Sequence, residues 1–178
     1  IDLSGSMSGK PMNMARNAAM EFVSKIDLNI HCVGIMGFAD RSKMFSNLTH
    51  EISSIESAIN KLDCNASRVG YGNDNNPLGD TIDIFKYKED SKNILIVLTD
   101  GVWSSQKQAI KSSDYCREVG YEVVAIGFGS ADKKFLERIS TNSENALMTN
   151  LDNLVDSFGS IAQEISQSGG ASGLKWNK

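Results

Sequence analysis

The chain has 178 residues, of which 40% are hydrophobic and 22% charged, with a formal net charge of −4, an ordinary profile for one globular domain with a real core. Its mild acidity and scattered lysines argue against a nucleic-acid partner, and no apolar run approaches the roughly 20 residues that span a bilayer. Cys32, Cys64 and Cys116 are widely spaced and lack CxxC or zinc-type His spacing, which argues against a disulfide framework or a zinc site.

In chain order, the polar opening stretch IDLSGSMSGKPM leads into a helix expected over 11–26, with Met12, Ala15, Ala19, Phe22, Val23 and Ile26 on one face and Pro11 in its first turn. NIHCVGIMGF (29–38) reads as a buried strand, with the Cys32 thiol expected inside it. A short edge strand follows over 43–48, and Ile52, Ile55, Ile59 and Leu62 mark a second amphipathic helix. Residues 65–76, NASRVGYGNDNN, form a Gly- and Asn-rich loop, and a helix returns over 78–87 behind Pro77. NILIVLTDG (93–101) is a buried strand ending in Thr-Asp-Gly, followed by a helix over 106–119 and a strand within 121–129. Helices over 132–139 and 151–167 complete the domain, leaving a flexible Gly/Ser-rich tail over 168–178.

Apolar strands alternating with helices predict an α/β domain, doubly wound, with a mainly parallel central sheet covered on both faces. Only Ile1 precedes Asp2, while a central strand needs several apolar residues, so the first strand is expected to start upstream of Ile1. A secretion signal could lie there too; reduced thiols lean towards the cytoplasm, and localisation stays open.

Asp2, Ser4 and Ser6 alternate. On an extended chain they share one face and bring three hard oxygen donors together, as a hard cation requires. The same residues also suit a polar strand-to-helix turn with Ser8 capping the next helix. In open parallel sheets ligands gather beyond the carboxyl ends of strands. Three polar segments are expected there: Asp2 to Ser6, Asn73 to Pro77, and Thr99-Asp100-Gly101.

DLSGSM in a strand-to-helix turn, NPLGDTI opening a helix and LTDG closing a strand together resemble the von Willebrand factor A-type (vWA) domain, over nearly the whole chain. These are the three loops of its metal-ion-dependent adhesion site, or MIDAS. GSMSGKPM and the compact size are more similar to bacterial intracellular members than to animal adhesion domains. The resemblance implies that Ser4 and Ser6 bind a divalent cation directly, Mg²⁺ or Mn²⁺, while Asp2 and Asp100 hold its water ligands. It implies a position left open for an Asp or Glu of a partner protein, with a shift of the last helix coupled to binding in some relatives.

The second loop departs from the family pattern, with Asn76 where a Thr is usual. Asn76 can offer its carbonyl oxygen, Asp74 can swing in and add negative charge, or the site has lapsed. Trp103 and Val102 either flank the metal as exposed apolar contacts or, for Trp103, fold back over a helix. Tyr71 and Arg68 are candidates for a partner surface.

An enzyme is the less favoured reading. No GxSxG is present, and His31 and His50 are expected to be structural or surface residues rather than catalytic bases. Magnesium-dependent phosphoryl transfer through Asp2 is the better rival, but Leu3-Ser4 supplies a hydroxyl where a second acid two residues on is usual.

Overall fold

The structure, a computed structural model, describes residues 1–85 and 91–168. The expected helix end at 86–87 and the tail from 169 onward lie outside the described residues. In order come α1 (Lys10–Lys25), β1 (Val33–Phe38), β2 (Ser42–Thr49), α2 (Ile52–Asn60), α3 (Ala66–Val69), α4 (Pro77–Phe85), β3 (Ile94–Thr99), α5 (Gln106–Glu118), β4 (Glu122–Gly127), α6 (Lys133–Ile139), β5 (Ala146–Met148) and α7 (Leu154–Ser168).

The fold is the expected α/β architecture. β3, β4 and β5 form a parallel sheet in that order, and β1 and β2 pair as an antiparallel ribbon. Alternation along the strands sorts their side chains to two faces. Leu98, Val124 and Ile126 join Met12, Ala15, Ile55, Phe158 and Ile161 from α1, α2 and α7. Leu95, Val97, Val123 and Ala125 join Leu78, Ala109, Leu136 and Ile139 from α4, α5 and α6. Both faces are therefore covered, and β3 and β4 are apolar between Ile94 and Leu98 and between Val123 and Gly127 because both faces are dry. Met7 and Met12 are buried, with Met14 and Met20 packed beside them, so this methionine cluster is helix packing.

The first three residues join the two sheets. Leu3 N–H donates to Phe38 O at 2.7 Å and Phe38 N–H to Ile1 O at 3.0 Å, while Asp2 N–H donates to Leu98 O at 2.9 Å on the other side. Asp2 thus pairs parallel to Phe38, between the carboxyl ends of β1 and β3. Gly37 permits this approach, since a Cβ there would collide with Leu3 and Phe45. Beside Ile1, an apolar cavity of about 480 Å³ runs between β1 and β3, lined by Phe22, Ile35, Leu78, Leu95, Val97 and Phe158 among others.

Three local expectations are corrected. β1 begins at Val33, not Asn29, because Asp27 organises a turn: its carbonyl accepts from Ile30 and His31 N–H, and its carboxylate from Asn29 N–H. Cys32 is consequently exposed rather than buried. Ser8 makes no cap for α1; Gly9, at φ +78°, is its N-cap.

In a chain whose first residue is Ile1, burial pushes the terminal ammonium down from 8.0 to about 6, with the Asp2 charge partly opposing, and its nitrogen contacts Met36 O at 2.8 Å. The fold disfavours the charged amine, so the unfolded state holds that proton more tightly. Stability should therefore be lowest below pH 6 and rise by roughly 1–3 kcal/mol as pH climbs from about 6 to about 8. Chemical denaturation across that window, compared with an N-acetylated chain that shows no such rise, measures it. Joining a short β-branched apolar segment ahead of Ile1 should also raise the melting temperature by filling the cavity, whereas a Gly-Ser segment should only flatten the pH dependence.

Candidate metal centre

The site is built where the first segment, the end of β3 and the loop before α4 meet. Asp2 is fully buried, and its carboxylate has two neutral donors. Ser4 N–H reaches Oδ1 at 2.8 Å and the Thr99 hydroxyl reaches Oδ2 at 2.6 Å. Thr99 is in turn a hub, accepting from the Trp103 indole N–H at 3.1 Å and from Gly101 N–H at 3.3 Å. Nothing in the residue pattern singles out the Thr99 hydroxyl or the Trp103 nitrogen as partners of Asp2 and Thr99. Only the strand-end position of Thr99, one residue before the acid, hinted at it.

Above Asp2 lies a chain of oxygens. Ser4 Oγ and Ser6 Oγ are 3.1 Å apart, and Ser6 Oγ donates to Asp100 Oδ1 at 2.8 Å, across 94 residues of sequence. The two serines do not converge by strand alternation as expected. The backbone is extended only to Ser4; Gly5–Met7 then closes a tight 3-10 turn, with Met7 N–H on Ser4 O, and the turn carries Ser6 back over Ser4. Asp100 is held from behind, where Ser130 N–H and Oγ both donate to its carbonyl at 3.0 Å. Burial raises its carboxyl above the usual range, with the Asp2 charge adding to the rise and the Ser6 hydroxyl opposing it.

Among the described residues, no Lys, Arg or His pairs with Asp2 or Asp100. Nor do three His, Cys, Asp or Glu side chains gather there as a metal-holding group. The donor set is therefore two carboxylates beside two hydroxyls, an arrangement of hard oxygens with uncompensated negative charge.

The second loop divides its asparagines. Asn75 N–H donates to Ala39 O, and its amide to Asp80 at 2.9 Å. Asn76 donates to Ser112 Oγ of α5 at 2.8 Å and accepts from Gly79 N–H at 3.4 Å, so both ends of its amide are engaged within the α4–α5 layer. It makes no hydrogen bond to Ser4, Ser6 or Asp100. Asp74 is exposed. Asn73 lies against the third loop: its Nδ2 is 2.9 Å from where a Cβ on Gly101 would sit, and its carbonyl accepts from Ser104 N–H. Asn73 Oδ1 is buried without a hydrogen-bond partner. An orphaned buried acceptor on a loop that packs against Gly101 fits a hard cation or its water.

The rim is set by Asp40. Its carboxylate accepts from Tyr71 N–H at 3.0 Å and fills the space where side chains on Gly70 and Gly72 would stand; Gly70 is also at φ +86°. This clasp fixes Tyr71, whose carbonyl accepts from Gly5 N–H and whose ring, 57% exposed, covers Gly5. Val102 is 56% exposed on the opposite loop. Trp103, by contrast, is 2% exposed, stacked edge-on between Phe38 at 5.1 Å and Phe135 at 5.2 Å. It folds inward and has no surface to offer a partner. Arg68 turns to Asp63 and Lys61 O.

The fold recurs among known proteins. Solved structures similar to the chain include proximal thread matrix protein 1 from the mussel byssus, with a TM-score of 0.74 at 22% identity over 91% of this chain and 43% of that one. That protein has also been solved with a zinc-occupied MIDAS motif. The vWF domain of the type V pili tip protein Mfa5 from Porphyromonas gingivalis gives 0.77 at 12% identity, over 99% and 95% of the two chains. Manganese-loaded TRAP from Plasmodium vivax gives 0.67 at 15%, over 89% and 70%. At these identities the likeness is one of fold, and the chain spans less than half the length of the mussel protein. No curated protein matches. The profile of the von Willebrand factor type A domain matches residues 1–164, and the chain belongs to that family.

Proposed function

We propose that the chain is a non-enzymatic interaction domain that binds a divalent cation, Mg²⁺ or Mn²⁺, and through it an Asp or Glu of a partner protein. The observation that carries this reading is the Ser4–Ser6–Asp100 chain of oxygens above buried Asp2, with no basic side chain among the described residues to balance the two carboxylates. When bound, the cation would supply the missing positive charge and a Lewis-acidic position for a foreign carboxylate. Ser4 and Ser6 would offer hydroxyl oxygens directly, while Asp2 and Asp100 would orient water. Asp2 is poorly suited to act as a nucleophile, because both its oxygens already accept hydrogen bonds in a buried setting.

For the second loop, Asn76 remains a candidate ligand only if its amide leaves Ser112 and Gly79. Asn73 would break no hydrogen bond of its Oδ1 to serve, since that atom has no protein donor. We favour Asn73. Exposed Tyr71 and Val102 flank the open side and would touch the residues around the partner's acid.

Mg²⁺ or Mn²⁺ at about a hundred times its dissociation constant should stabilise the domain by about 2.7 kcal/mol. That corresponds to a rise in melting temperature of several degrees. Ser6→Ala and Asp100→Asn should each abolish the shift, and a shift that persists in both variants would sink the reading. Asn73→Ala should weaken the shift more than Asn76→Ala; the opposite order would make Asn76 the ligand. Water-proton relaxation by bound Mn²⁺ should fall as acetate is added, because a carboxylate displaces a water, and phosphate-ester turnover above the buffer blank would favour the enzyme instead.

Thr99→Val should act differently. It keeps the shape but strips one of two donors from buried Asp2 and an acceptor from Trp103, so the metal-free domain should lose about 2–4 kcal/mol in denaturant titrations.

A further inference from the structure

The end of the ribbon opposite the oxygen cluster carries a second chemical grouping. Cys32 stands just before β1 and His50 just after β2; the two strands are antiparallel with Val33 opposite Thr49, so the flanking side chains meet. Cys32 Sγ lies 3.0 Å from His50 Nε2, and His50 Nδ1 lies 2.7 Å from the carbonyl oxygen of Leu28. A carbonyl can only accept. Nδ1 therefore carries the ring proton, and Nε2 turns its lone pair towards the thiol. A nucleophile, a base and a group that orients the base stand in line.

Transfer of the thiol proton to Nε2 would leave an imidazolium with both N–H groups engaged, one on Leu28 O and one on the thiolate. Solvent reaches the sulfur, because Cys32 is exposed. The other cysteines contrast with it. Burial pushes Cys116 up to about 11 with Arg117 opposing, and burial also raises Cys64, with Asp2, Asp100 and Asp63 adding and a Ser8 hydrogen bond opposing. Both are held as thiols, while Cys32 has a base beside it.

We propose that Cys32 is a reactive thiol, activated by His50 and the Leu28 carbonyl, and a site of covalent modification by small disulfides. His50 Nε2 takes the proton from Sγ, and the thiolate attacks one sulfur of RS–SR. The Cys32 S–S bond forms as the RS–SR bond breaks, and the departing RS⁻ takes a proton from His50 or water. The Cys32 sulfur is oxidised and the departing sulfur is reduced, so electrons balance within the exchange. β1 separates this sulfur from the oxygen cluster by six residues, about 20 Å of strand, so the two sites act independently.

The test uses the 178-residue chain and dithiobis-nitrobenzoate, an aromatic disulfide whose released thiolate absorbs visible light, with mass spectrometry to locate the adduct. At neutral pH Cys32 should react first, about tenfold faster than the same thiol in the urea-unfolded chain. Cys32→Ser should remove that fast phase, and His50→Gln should bring it down to the unfolded rate while leaving the melting temperature unchanged. The proposal is overturned if Cys32 reacts no faster folded than unfolded, or if a folded His50→Gln chain keeps the fast phase. Should His50→Gln fail to fold, the folded-to-unfolded rate ratio of the unaltered chain decides alone.

Discussion

A carboxylate buried with only neutral donors is the constraint around which this molecule is arranged. Asp2 lies between the two sheets, and its oxygens are met by a backbone N–H and a threonine hydroxyl rather than by a cation. Burying a charge on those terms is costly unless the donors are fixed. Fixing them recruits the end of β3 through Thr99, the aromatic layer through Trp103, and the tight turn through Ser4. The backbone of Asp2 meanwhile bonds to Leu98, and its neighbours bond to Phe38. Continuity of the sheet and integrity of the oxygen cluster therefore rest on the same few atoms. The unbalanced negative charge above them follows directly from that choice of partners.

Much of the architecture could be read from residue order. Runs such as Ile94 to Leu98 and Val123 to Gly127 are apolar without break because helices cover both faces, and the one-sided periodicity of α1, α2 and α7 locates their buried faces. Short elements escaped. β5 spans three half-buried residues and α3 spans four residues, too few for any period to show. The start of β1 was misplaced because apolar Ile30 precedes it, although Asp27 turns the chain there.

The cluster was legible for a similar reason. The spacing of Asp2, Ser4 and Ser6 and the Thr-Asp-Gly strand end are local signals, although the turn that makes the two serines meet was not foreseen. The asparagines of the second loop were harder. Asn73, Asn75 and Asn76 are chemically alike, and only contacts with Ser112, Asp80 and Gly101, far off in the chain or across a turn, distinguish them. Trp103 had two plausible positions until Phe38 and Phe135, from distant elements, closed around it. Exposed Cys32 gained meaning only once β1 and β2 paired and brought His50 to it.

The Asp40 clasp has an implication for how such a rim can diversify. Its carboxylate occupies the volume that side chains at 70 and 72 would need, so neither position can vary without displacing it, even though the surrounding loop faces solvent. Substitution that leaves this frame intact is thereby confined to exposed positions such as Tyr71, Asp74 and Val102. A library built to redirect this surface would do best to randomise those three and leave both glycines alone.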